Sequence, residues 1–165
     1  MKSILIVGTK DGGKSTTITE VCKMLNPTKV YKLNTKEKKL ENAQIEHIYN
    51  ETFIIEFNGK LILVVAGAPT EQGITLKVLI EICIEIGVKI SFLLVSKRKI
   101  ERKKDSATKK VFKTEKDLND FSELIHTEKI NRVPLVDEKD PNSFKQDVNW
   151  QTRITKIHEL IISNI

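Results

Sequence analysis

Eight residues near the start of the chain, Gly8-Thr9-Lys10-Asp11-Gly12-Gly13-Lys14-Ser15, have the types and spacing to hold a chain of phosphates. The pattern is G-x-x-x-x-G-K-S. Glycines at 8, 12 and 13 let the backbone curl until successive N–H groups point inward at an anion. A helix that opens near Lys14 adds its positive end to the same point. Lys14 is then placed to reach β- and γ-phosphate oxygens, and Ser15 to set its hydroxyl on Mg²⁺. Lys10 brings a second cation to the loop, the amides from Asp11 to Ser15 cradle oxygens, and Thr16 follows at the helix start. The alternative use of such a segment is a plain glycine turn with a solvated lysine.

The elements around the loop are those the chemistry needs. Ser3–Val7 is a short apolar run that ends in glycine, the pattern of a buried strand. From Ser15 to Leu25, the residues Thr16, Ile18, Val21, Cys22 and Leu25 recur on one helical face, and Asn26-Pro27 stops the helix. Lys29–Leu33 reads as a short strand, and Lys36–Asn50 as a charged stretch with a weak helical period through Leu40, Ala43, Ile45 and Ile48. Thr52–Phe57 and Lys60–Ala66 are strands joined by Asn58-Gly59, a pair suited to a tight antiparallel hairpin. Residues 67–73 read as a loop, Ile74–Ile86 as an apolar helix ended by Gly87, and Val88–Val95 as a buried strand. Glu115–Ile130 reads as one helix with Leu118, Phe121, Leu124 and Ile125 inside. Arg132–Val136 follows as an edge strand, Asp137–Val148 as a loop, and Trp150–Ile162 as a closing helix. This alternation predicts one α/β domain over 1–165, a three-layer fold with a mostly parallel central sheet and one antiparallel hairpin.

Composition narrows the classes. A chain of 165 residues, 39% hydrophobic and 30% charged, can bury a full core. It has no apolar run long enough for a membrane helix. The N-terminal run is too short for a signal-peptide core, so the expected location is cytoplasmic, with no membrane partner. Cys22 and Cys83 sit among apolar residues and read as small buried hydrophobes. His47, His126 and His158 are scattered, so no metal site of protein ligands alone is expected. The formal net charge of +6 is local: Lys97–Lys116 holds ten basic and three acidic residues, leaving the rest of the chain at −1. That segment has three readings: a solvated loop, a mobile lid that closes on phosphates, or a patch for nucleic acid or another polyanion. Its one aromatic residue, Phe112, gives little for base stacking.

Gly8–Ser15, between a strand and a helix, resembles the Walker A loop of the P-loop NTPase superfamily. The resemblance is firm through Leu25 and looser through Val95, where the hairpin, loop and helix look like those of small Ras-like GTPases. It implies the P-loop NTPase fold and a nucleoside triphosphate, ATP or GTP, bound with Mg²⁺ at the carboxyl ends of the strands. The chain departs from the family in two places. The strand through Ala66 ends without the Walker B carboxylate, and the D-x-x-G of GTPases is absent, although Gly67 or Gly73 echoes its glycine. The nearest candidates to orient a water or reach the metal are Glu71 and Gln72, with Asp11 as a further option; solvent-side helix caps are their alternative role. The base-reading N/T-K-x-D is also missing: the chain has Ser96-Lys97-Arg98-Lys99, which favours ATP over GTP. Lys10 and Lys14 in one loop are similar to the deviant loops of partitioning ATPases, but those carry lysine where this chain has Thr9. The expected activity is a slow NTPase, with Lys14, Glu71 and Gln72 as catalytic residues. Two alternatives stay open: a phosphotransferase acting on a small molecule or nucleotide, and a non-hydrolysing, nucleotide-gated module that binds nucleic acid or protein.

Overall fold

The computed structural model describes residues 1–10, 12–101, 110–131 and 137–165. Asp11, the middle of the basic segment and the Arg132–Val136 strand expected from sequence lie outside the described residues. The strands are β1 (Lys2–Gly8), β2 (Lys29–Asn34), β3 (Lys39–Asn42), β4 (Thr52–Phe57), β5 (Lys60–Val65), β6 (Ile90–Arg98) and β7 (Glu123–Ile130). The helices are α1 (Lys14–Leu25), α2 (Pro69–Gln72), α3 (Leu76–Glu85), α4 (Thr114–Phe121) and α5 (Val148–Asn164).

The strands form one mixed seven-stranded sheet in the order β3-β2-β4-β5-β6-β1-β7. Pairs β5–β6, β6–β1 and β1–β7 are parallel. Pairs β3–β2, β2–β4 and β4–β5 are antiparallel. The sheet is therefore parallel on one side and antiparallel on the other, with more than the single antiparallel hairpin expected. Strand alternation divides the core between two faces. Ile4, Ile6, Ile62, Val64, Phe92 and Leu94 pack with Ile18, Val21 and Cys22 of α1 and Ile154, Ile157 and Ile161 of α5. Leu5, Leu63, Val65, Leu93 and Val95 pack with Leu76, Leu79, Ile80 and Cys83 of α3 and Leu118 of α4. Helices thus cover both faces of an α/β sheet, and β5 and β6 are buried on both sides, as their continuous apolar runs require.

The Asn58-Gly59 hairpin is present as expected, with φ of 50° and 72° at its two residues. Both values are those of a type I′ turn, which matches the twist of the flanking strands. Elsewhere sequence and structure differ. Lys36–Asn50 is not helical: it contains the β2–β3 turn, strand β3 and a 3-10 turn at Ile45–His47. Asn34 sets that turn, its Oδ1 accepting from the N–H groups of Lys36 at 3.1 Å and Glu37 at 2.9 Å. This local bond competes with helix formation. Residues 69–72 are a single helical turn inside the expected loop. Glu115–Ile130 is not one helix. α4 ends at Phe121, Ser122 is extended, and the chain continues as β7 against the free side of β1. Pairing along a whole strand outweighs the helical spacing of Leu124 and Ile125. β6 runs on to Arg98, so Lys97 and Arg98 belong to the sheet and not to the basic loop.

Cys22 and Cys83 are buried and free, as the sequence predicts. Burial pushes the thiol of Cys22 up to about 12 and that of Cys83 up to about 11. No helix among the described residues is long and apolar enough to cross a membrane.

Candidate phosphate site

The glycine loop connects β1 to α1 and lies at the carboxyl ends of the parallel strands. Each glycine is needed for a different reason. A Cβ on Gly8 would stand 3.1 Å from Ile130 O and from Lys14 Cγ, and one on Gly12 would stand 2.9 Å from Thr9 O. Gly13, with φ of 93°, is the residue that turns the chain into α1. A 3.0 Å bond from Gly12 N–H to Thr9 O tightens the loop.

Lys14 is only 4% exposed, and its Nζ turns back to donate to Thr9 O at 2.8 Å. Glu71, on α2, comes within 3.6 Å of Lys14 Nζ through Oε1. The same oxygen accepts from Arg98 Nε, at the end of β6, at 3.1 Å. A carboxylate thus lies between two cations at the mouth of the loop. Ser15 Oγ lies 2.9 Å from Ala66 O and 3.1 Å from Asn50 Oδ1, its single proton shared between these two acceptors, so the hydroxyl faces the end of β5. Ala66 O also accepts from Ser96 Oγ at 3.0 Å. The backbone before β4 is pressed onto this point: a Cβ on Gly67 would stand 2.1 Å from Asn50 O. Asn50 adopts φ of 53°, which asparagine tolerates better than most residues.

These groups line a cleft of about 560 Å³, within the size range of small-molecule sites. Lys10, Gly12, Gly13, Lys14, Ser15 and Thr16 border it, joined by Asn50, Glu71 and Arg98. Open α/β sheets bind ligands at this position, outside the carboxyl ends of the strands. Of the sequence candidates, Gly8 is at the root of the loop and Asp11 lies outside the described residues. Gln72 does not join the cleft. Its Nε2 donates to Gly67 O at 2.5 Å and its Oε1 accepts from Thr52 Oγ1 at 3.0 Å, which ties α2 to β4 and to the segment after β5.

Asn50 and Arg98 line the cleft as well; the sequence marks Arg98 only as one cation of the Lys97–Lys116 segment and does not single out Asn50. Arg98 was hidden in a run of cations. Asn50 precedes a strand and carries no motif, and only its suitability for a left-handed turn distinguished it.

Hard oxygens gather around Ser15: its own Oγ, Asn50 Oδ1 and Ala66 O. This donor set suits Mg²⁺, which keeps waters and takes substrate phosphate oxygens as ligands. No group of three or more His, Cys, Asp or Glu among the described residues could hold a metal by itself. Comparison of the chain with protein-family models, with curated proteins and with solved structures finds no match.

Proposed function

We propose that this protein is a P-loop protein that binds a nucleoside triphosphate with Mg²⁺ and hydrolyses it slowly. The observation that carries this reading is the glycine loop itself. A G-x-x-x-x-G-K-S segment opens α1, with its lysine folded over the loop, inside a cleft at the carboxyl ends of parallel strands.

Each residue then has a definite task. Loop amides and the first turn of α1 hold phosphate oxygens. Lys14 neutralises charge on the β- and γ-phosphates, and because it is nearly buried its field is weakly screened. Ser15, with Asn50 beside it, holds the Mg²⁺, whose chemistry is to offset negative charge on the β- and γ-oxygens. Arg98 supplies a further cation beside Lys14, across Glu71 Oε1. Glu71 gives up its contacts with Lys14 and Arg98 when phosphate arrives, and its carboxylate becomes available to orient the attacking water. The end of β5 has no carboxylate to assist it, which fits slow turnover. The ligand is ATP or GTP; the base-reading acid of GTPases is missing after Ser96, so a dedicated preference for GTP is not expected and ATP is the favoured reading.

The nucleotide-gated module is the second reading, and one set of contacts favours it. Glu71 rides on a single helical turn between Gly67 and Gly73, and Lys110, from the basic segment, donates through Nζ to Gly73 O at 2.5 Å. A shift of Glu71 would reach the basic segment directly. Single-turnover phosphate release, with protein in excess over Mg²⁺·ATP or Mg²⁺·GTP, separates the readings. Release above the protein-free rate, lost in Lys14→Ala, is the expected result. Tight binding with no release would transfer the proposal to the gated module.

A further inference from the structure

The cleft has a second end that differs from the first. Beyond the glycine loop and Thr16, its wall is formed by Ile130 at the end of β7, Pro141 and Phe144 from the segment before α5, and Trp150 in the first turn of α5. Phe144 and Trp150 meet edge to face, with ring centroids 5.5 Å apart and planes at 82°. Trp150 is buried, its backbone N–H bonded to the helix cap Asp147 Oδ1 at 3.0 Å and its ring held by packing, while Phe144 is only half-buried. One aromatic ring is therefore fixed, and it braces another that faces the cleft.

A second observation lies in α1. Thr17, one residue past Thr16 in α1, also lines the cleft. Its Oγ1 is buried without a hydrogen-bond partner among the described residues. An unpaired buried hydroxyl is costly, and at the wall of a cleft a ligand or water would complete it.

We propose that this wall is the base subsite: the planar ring of the nucleotide rests against Phe144, braced by Trp150, while its phosphates occupy the glycine loop. The inference rests on the phosphate-site reading above and extends it. It assigns the ligand as a nucleoside phosphate, distinguishing it from a bare polyphosphate or phosphorylated sugar. It also places base recognition in stacking and not in a dedicated acid. Stacking tolerates any base, so discrimination between ATP and GTP should be modest.

The test compares inorganic tripolyphosphate with ATP, each with Mg²⁺, by calorimetry and by the fluorescence of Trp150, the only tryptophan in the chain. The proteins are the unmodified chain and Phe144→Leu, which keeps an apolar filler and removes the ring; thermal melting confirms that the variant folds. ATP should bind about tenfold tighter than tripolyphosphate, and Phe144→Leu should remove most of that margin while leaving tripolyphosphate affinity unchanged. Trp150 emission should respond to ATP and not to tripolyphosphate. Equal affinities, or an ATP margin that survives Phe144→Leu, would overturn the base subsite and leave the phosphate site standing. Failure of both ligands to bind the unmodified chain would overturn the phosphate site, and the base subsite with it.

Discussion

From β5 through β6 and β1 to β7, the strands run parallel, and each delivers its carboxyl end to the same edge of the sheet. β3, β2 and β4 alternate in direction, and the Asn58-Gly59 turn before β5 lies at the opposite edge from the cleft. Both halves contribute apolar residues to the same two core layers. Only the parallel half gathers Lys14, Ala66, Arg98 and Ile130, which are far apart in sequence, around one cavity. Parallel strands must reconnect through crossovers, so their loops accumulate at one end; hairpins return the chain at alternating ends. The antiparallel half therefore supports the site from the side, chiefly through Asn50 and Thr52 at the entry to β4.

This contrast can be broken by substitution, starting where the effect is largest. Phe53 in β4 is 1% exposed and fills the core of the antiparallel half. Phe53→Ala should cost about 3–5 kcal/mol in urea unfolding, with nucleotide affinity unchanged at temperatures where the fold persists. Gly67→Ala probes the seam between the halves. Its methyl group would meet the Asn50 backbone at 2.1 Å, so the segment before β4 must move. A stability loss of about 1–3 kcal/mol is expected, together with weaker Mg²⁺-dependent nucleotide binding by calorimetry. Gly59→Ala places a side chain at φ of 72° in the distant hairpin. It should lower stability by about 1 kcal/mol and leave binding intact. Glu71→Gln sharpens the picture from within the site. Removing a partly exposed anion from beside Lys14 and Arg98 should raise ATP affinity roughly two- to fivefold. Phosphate release should fall in the same protein.

The two halves were also unequally legible in the sequence. The glycine loop, α1 and the β4–β5 hairpin are legible because each carries local signals: a glycine pattern, one apolar face, and an Asn-Gly pair. β7 is not, because Leu124 and Ile125 continue the spacing of Leu118 and Phe121, and the strand is decided by the vacant edge of β1. β3 was missed for a similar reason, its charged residues being ordered by pairing with β2 and by the Asn34 turn. Of the residues lining the cleft, Lys14, Ser15 and Glu71 are among those the sequence singles out, from the loop and from their distance along the chain. Arg98 and Asn50 are not, because what brings them to the cleft is the register of β6 against β1 and the close approach of Asn50 to Gly67. Gln72, a candidate by its place beside Glu71, has its amide bonded to Thr52 Oγ1 and Gly67 O.

The central claim is that Gly8–Ser15 is a working phosphate loop, and calorimetric titration of Mg²⁺·ATP and Mg²⁺·GTP into the unmodified chain and into Lys14→Ala tests it most directly. The account predicts Mg²⁺-dependent binding that falls at least tenfold, about 1.4 kcal/mol, in a Lys14→Ala protein that remains folded by thermal melting. Equal binding by the two proteins, or no binding of either nucleotide to the unmodified chain, would contradict it.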